Sequence, residues 1–193
     1  MTREPHRTSF RHSPPDGLNI RAERLGDAPT IGLVIEAAFG SPAEGRLVSA
    51  IRASEHFVPE LALVAELEGQ IVGHVMISSA SLQDGDVHRR IAILSPLAVA
   101  PAFQGRGIGS ALVEEATARA SLRGEPLVVL EGSPAFYGRL GFEQSVPYGI
   151  RIMLPSWAPP EAAQVLRLPD YDPSIRGLVV YPSAFDEVSE RDH

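Results

Sequence analysis

The stretch from Leu97 to Ser110, Leu-Ala-Val-Ala-Pro-Ala-Phe-Gln-Gly-Arg-Gly-Ile-Gly-Ser, constrains the fold more than any other part of the chain. An apolar run ends at Pro101, which cannot donate to a strand ladder. Gly105, Gly107 and Gly109 follow, and then a helical stripe of Ile108, Leu112, Ala116 and Ala120 that stops at Gly124. A strand, a glycine-rich loop and a helix in that order leave backbone N–H groups unpaired at the helix start, where an anion such as a pyrophosphate can sit. The glycines let a phosphate approach the main chain, and the helix dipole adds roughly half a positive charge. The same pattern also fits a plain tight strand-to-helix turn. Two nucleotide fingerprints fit less well. Gly105-Arg106-Gly107-Ile108-Gly109-Ser110 has serine where a dinucleotide motif wants its last glycine, Glu131 is a weak match to the ribose-binding acid, and the P-loop lysine is absent.

The rest of the chain supplies a mixed α/β frame. Asn19 to Arg24 alternates as a strand does. Asp27 offers an N-cap and Gly40 a stop to a helix through Phe39, and Ser41-Pro42 opens a second helix with Leu47, Val48 and Ile51 on one face. Leu61–Glu68 and Gln70–Ser79 read as arms of a hairpin about Glu68-Gly69, Gln83–Asp86 as a polar loop, and Arg90–Val99 as a strand buried on both faces. Leu127–Leu130 is a short buried strand, and Ser133-Pro134 starts a short helix halted by Gly141. A proline-rich remainder follows, with strand signals at Val165–Leu168 and Leu178–Tyr181. The order implies a sheet flanked by helices, with the ligand expected at the step from Val99 to Ile108. We expect a flexible N-terminal arm over residues 1–17, a single domain over 18–185 and a frayed tail over 186–193.

Composition excludes several classes. There is no cysteine, so disulfides, thiolate metal sites and a thiol nucleophile are ruled out, and the histidines lack ligand spacing, so no metal is expected. A net charge of −7 argues against broad nucleic-acid binding. No apolar run is long enough for a membrane span and Met1 to Gly17 lacks a signal-peptide core, so a cytoplasmic location is the default expectation.

Gln104-Gly105-Arg106-Gly107-Ile108-Gly109, after the strand end Leu97-Ala98-Val99, resembles the acetyl-CoA loop of the GNAT-type N-acetyltransferases, a Gln/Arg-x-x-Gly-x-Gly/Ala pattern. Phe136-Tyr137-Gly138-Arg139-Leu140-Gly141-Phe142 resembles the second signature of that family. The pair Gly73-His74 and the run Tyr181-Pro182-Ser183-Ala184-Phe185 are similar to the bacterial YhbS-like subgroup. The resemblance implies the GNAT fold, a mixed, mostly antiparallel sheet with splayed parallel strands, and acetyl-CoA as co-substrate. It implies that Leu94–Val99 splays from Leu127–Leu130, that main-chain groups of Leu97, Ala98 and Val99 hold the pantetheine arm, and that Gln104, Gly105, Arg106, Gly107, Ile108, Gly109 and Ser110 hold the pyrophosphate. Phe136 packs against the arm. Where many members carry an asparagine that touches the CoA arm before the tyrosine helix, this chain has Ser133, and the resemblance implies that Ser133 takes that contact. Tyr137 is the expected catalytic side chain, giving a proton or hydrogen bond to the leaving thiolate.

The resemblance implies transfer to an amine, a small molecule or a protein, by direct attack in a ternary complex. An acyl-CoA-binding module without turnover and a longer acyl donor are the alternatives. Glu66, His74, Ser95 and Glu131 are all candidates for the amine's proton, and the sequence does not choose among them. The segment Pro155–Pro173 fits a wall of the acceptor site, a contact between two copies, or a surface wrap.

Overall fold

A computed structural model describes residues 13–186. The opening elements are β1 (Asn19–Ala22), α1 (Ala28–Phe39) and α2 (Ala43–Arg52). Asp27 does not cap α1 with its side chain; its carboxylate accepts the Arg24 N–H at 2.7 Å and closes a 3-10 turn ahead of the helix. Gly40 ends α1 in the left-handed conformation, φ 68°, where glycine is unstrained.

The hairpins come next: β2 (Ala62–Leu67), β3 (Gln70–Asp84) and β4 (Val87–Val99). The polar loop expected at Gln83–Asp86 is shorter than the sequence suggests. Gln83 pairs with His88 and Asp84 with Val87, because exposed polar side chains cost nothing when the backbone ladder is satisfied. Then follow α3 (Ile108–Leu122), β5 (Leu127–Glu131) and the single-turn α4 (Pro134–Tyr137), continued by a 3-10 turn to Leu140. The late segment holds β6 (Glu143–Gln144), β7 (Ile150–Arg151), β8 (Ala163–Arg167) and β9 (Gly177–Val180).

The strands form one sheet in the order β1-β2-β3-β4-β5-β8-β6, with β9 on the far part of β3 and β7 beside it. Its pairs are antiparallel except β4 with β5 and β7 with β9. On one face α3 packs Ile108, Leu112, Val113, Ala116 and Ala120 against Leu63, Val75, Ile77, Leu94, Val128 and Leu130. On the other, α1 and α2 cover Val64, Met76 and Ala98, and the late strands cover Ile91, Ile93, Leu127 and Val129.

One feature of β4 positions the site. Its parallel ladder with β5 holds only Ala92↔Val128 and Ile93↔Val129, so β4 runs on from Leu94 with its β5-facing edge out of the ladder. The pairing with β3 slips between Val75↔Leu97 and Ile77↔Leu94, which puts a bulge at Ser95-Pro96. A bulge is one of the few places where a sheet tolerates proline.

The expected N-terminal arm falls largely outside the described residues, as does the tail from residue 187 onward. Of the arm, Ser13 and Pro14 lie against the cleft described next.

Candidate functional site

A cleft of about 670 Å³ opens where β4 leaves β5 and α3 begins. Leu97, Val99, Gln104, Gly105, Gly107, Ile108, Gly109, Ser110 and Phe136 all line it. Ser13, Pro14, Phe103, Ala111, Glu114, Arg139 and Leu140 line it too, and sequence reasoning did not single these out. For Ala111 and Glu114 a signal existed: they lie one helical turn beyond Gly107 and Ser110 on α3.

The loop is built to present its main chain. Gly105 at φ 74° and Gly107 at φ 78° take the left-handed conformation, which side chains resist. Gln104 lines the cleft and its side-chain Nε2 donates to the Val99 carbonyl at 2.9 Å, tying the loop to the strand end. The first bond of the helical ladder runs from the Ala111 N–H to the Gly107 carbonyl at 3.0 Å. Among the described residues, the N–H groups of Gly105 through Ser110 therefore have no backbone acceptor. Six amides at the positive end of a 15-residue helix make a seat for an anion.

Four expected residues stand apart from the cleft lining. Ala98 is buried on the α1–α2 side of the sheet, so only its backbone faces the split. Arg106 is exposed, its guanidinium 5.4 Å from the centre of the Phe103 ring. Ser133 is exposed ahead of α4 and makes no side-chain cap. Tyr137 packs against the α3-side core, edge-on to Phe136 at 4.8 Å and Phe142 at 5.5 Å. Burial pushes its phenol up to about 12, so it keeps its proton at neutral pH.

Gly132 makes room for that ring. A Cβ on Gly132 would collide with Cε2 of the Tyr137 ring. The backbone there is fixed from both sides, because the Gly132 N–H donates to the Ala162 carbonyl at 3.0 Å and buried Gln164 donates to the Gly132 carbonyl at 2.9 Å.

The proton-acceptor candidates separate cleanly. His74 is fully buried on β3, with Nε2 3.2 Å from Glu23 Oε2; burial lowers its pKa against the opposing pull of Glu23. Glu66 is engaged by Arg21 at 2.9 Å between β1 and β2. Ser95 is half-buried at the β4 bulge. Glu131 ends β5 and accepts a hydrogen bond from the Tyr181 hydroxyl. Among the described residues no three His, Asp or Glu side chains converge as a metal site, and no helix is long and apolar enough to cross a membrane.

A parallel strand pair that parts, a bulged β4 and a phosphate-ready helix start define the N-acetyltransferase architecture, and comparison with known proteins agrees. The acetyltransferase (GNAT) domain family matches residues 58–144. The uncharacterized N-acetyltransferase YhbS of Escherichia coli K12 is 36% identical over 169 residues, which cover 86% of this chain and 98% of YhbS. The chain belongs to the GNAT acetyltransferase family. The crystal structure of Escherichia coli YhbS in complex with CoA superposes with a TM-score of 0.80 at 33% identity, covering 90% of this chain and 94% of that one. A GNAT family acetyltransferase from Brucella melitensis in complex with acetyl-CoA gives 0.71 at 33% identity, covering 88% of this chain and 98% of the other.

Proposed function

We propose that this protein transfers the acetyl group of acetyl-CoA to an amine by direct attack in a ternary complex. The observation that carries the reading is the set of unpaired amides from Gly105 to Ser110 at the mouth of the cleft. The CoA and acetyl-CoA bound by similar proteins support it.

The pyrophosphate sits on the loop amides, each worth on the order of 1 kcal/mol and additive against one dianion. The pantetheine arm takes the place β5 would have taken along β4 and pairs with main-chain groups of Leu97–Val99. A backbone N–H of the same stretch receives the thioester oxygen as it becomes an oxyanion. Tyr137, protonated at neutral pH, gives its hydrogen to the departing thiolate and regains one from water. With no cysteine in the chain, no thioester to the protein forms. The net charge of −7 favours a cationic amine by steering.

The test is CoA release from acetyl-CoA with a panel of amines. Tyr137→Phe is expected to lower kcat about 100-fold while the Kd for acetyl-CoA holds. Binding of acetyl-CoA without amine-dependent CoA release by the wild type would identify a binding module instead.

A further inference from the structure

We propose that the acceptor amine enters on the sheet face opposite α3 and surrenders its proton to Glu131, which Tyr181 holds in position. This rests on the transferase reading above and names the acceptor half of the same site.

Alternation along β5 sets the face. Val128 and Leu130 point into the α3-side core, while Leu127 and Val129 point into the cluster on the opposite face. Glu131, two residues beyond Val129, continues that opposite face. It lies past the last β4–β5 ladder pair, Ile93↔Val129, so it stands where the strands have parted. The cleft with the phosphate-ready loop opens on the α3 side of the same gap. A thioester lying in the gap is thus reached by its carrier from one face and by an amine from the other.

The carboxylate is dressed for this task. The Tyr181 hydroxyl donates to Oε1 from a segment that leaves β9 and packs Tyr181 and Phe185 on the Ile93–Val129 cluster, the two rings 5.1 Å apart. Among the described residues Glu131 makes no ion pair, so its negative charge is left for a ligand to answer. Its register partner on β8 is Ala163, and β4 offers Leu94 and Ser95 beyond the ladder. Tyr137 stands beyond Gly132 in the α3-side core. Tyr181 is the titratable group in contact. Burial raises the Glu131 pKa and the Tyr181 hydrogen bond opposes it. His74 and Glu66 already have partners and lie outside the gap.

The proton balance closes. The ammonium gives one proton to the Glu131 carboxylate, the nitrogen lone pair forms the C–N bond, and the C–S pair leaves with sulfur. The thiolate takes the Tyr137 hydrogen, and the second amine proton passes to water, from which Tyr137 is restored. Glu131 then releases its proton to solvent.

The experiment uses the full-length protein, acetyl-CoA and three probe amines: benzylamine, spermidine and hydroxylamine, the last already unprotonated at neutral pH. In Glu131→Gln, turnover with benzylamine and spermidine is expected to fall about 100-fold and with hydroxylamine less than about 10-fold, with acetyl-CoA affinity unchanged. In Tyr181→Phe the acid limb of the kcat profile moves to higher pH and the plateau stays, which a mere tether would not produce. Without turnover, the ¹³Cδ resonance of Glu131 in the CoA-loaded wild type is expected to shift when spermidine is added. Equal turnover of Glu131→Gln and wild type with all three amines overturns the proposal and leaves the transferase reading standing. An unmoved ¹³Cδ resonance overturns it as well. A wild type that shifts the resonance yet acetylates no amine refutes the transferase reading and keeps Glu131 as an ammonium site. An acid limb unmoved by Tyr181→Phe overturns the positioning role of Tyr181.

Discussion

Tyr137 owes its place to a residue with no side chain. Its ring lies over Gly132, between Phe136 and Phe142, and the backbone beneath it is held by Gln164 and Ala162. Gly132→Ala therefore drives a methyl into the ring. It is expected to destabilise the protein by about 1–3 kcal/mol. It is also expected to reduce turnover in the manner of Tyr137→Phe, as denaturant melts and CoA-release rates would read together. The place of Tyr137 on a short helix was legible in the sequence because its signature is local. Two partners were not. Gln104 braces the loop through the Val99 carbonyl, an acceptor that only the fold brings near. Tyr181 lies 50 residues from Glu131, and no periodicity links them.

Among the elements, the loop into α3 shapes the cleft most. Gly107 sits at φ 78°, where any Cβ is strained, whereas a Cβ on Gly109 would meet Phe136, Val99 and Leu97 at ordinary distances of 3.5 to 3.8 Å. Gly107→Ala should thus cost about 1 kcal/mol and weaken acetyl-CoA binding, and Gly109→Ala should do neither. Thermal melts with and without acetyl-CoA separate the two. This element was readable because proline, glycine and the helical stripe all speak locally, as did α1, α2, α3 and the β2–β3 hairpin. The late strands were less so. β6 and β7 have two residues each and exist because β8 and β9 offer them a ladder. The gap between β4 and β5 is a matter of register, which the apolar run of β4 does not reveal by itself; it was expected only through the family resemblance.

Across the whole molecule, a partly buried ion-pair cluster ties the sheet to its helical cover on the α1–α2 face. Arg52 of α2 grips Glu23 at 2.6 and 2.8 Å, and Glu23 also meets His74 of β3. Burial works to raise the Glu23 pKa, but Arg52 and His74 bring it down to about 2. A carboxylate with a depressed folded pKa adds stability above its unfolded value near 4.5, and that stability is lost as pH falls toward 2. His74 acts higher. Burial lowers its pKa below 6.5, so from 6.5 downward the unfolded chain takes up a proton that the folded chain resists. Unfolding free energy is expected to fall as pH drops below 6.5 and to fall further below 4.5. Arg52→Ala, which leaves Glu23 facing His74 alone, should cost about 2 kcal/mol at neutral pH. Urea melts across the pH range check both.

Titration calorimetry of acetyl-CoA into the wild type and into Gly107→Glu asks whether the loop amides hold the diphosphate. A carboxylate at Gly107 meets the pyrophosphate with like charge and a side chain where the main chain should touch. The wild type should show saturable binding at one site per chain, and the variant, still unfolding cooperatively, none. Equal affinity in the two proteins, or a wild type that does not bind, would contradict the assignment of the loop amides to the diphosphate of acetyl-CoA.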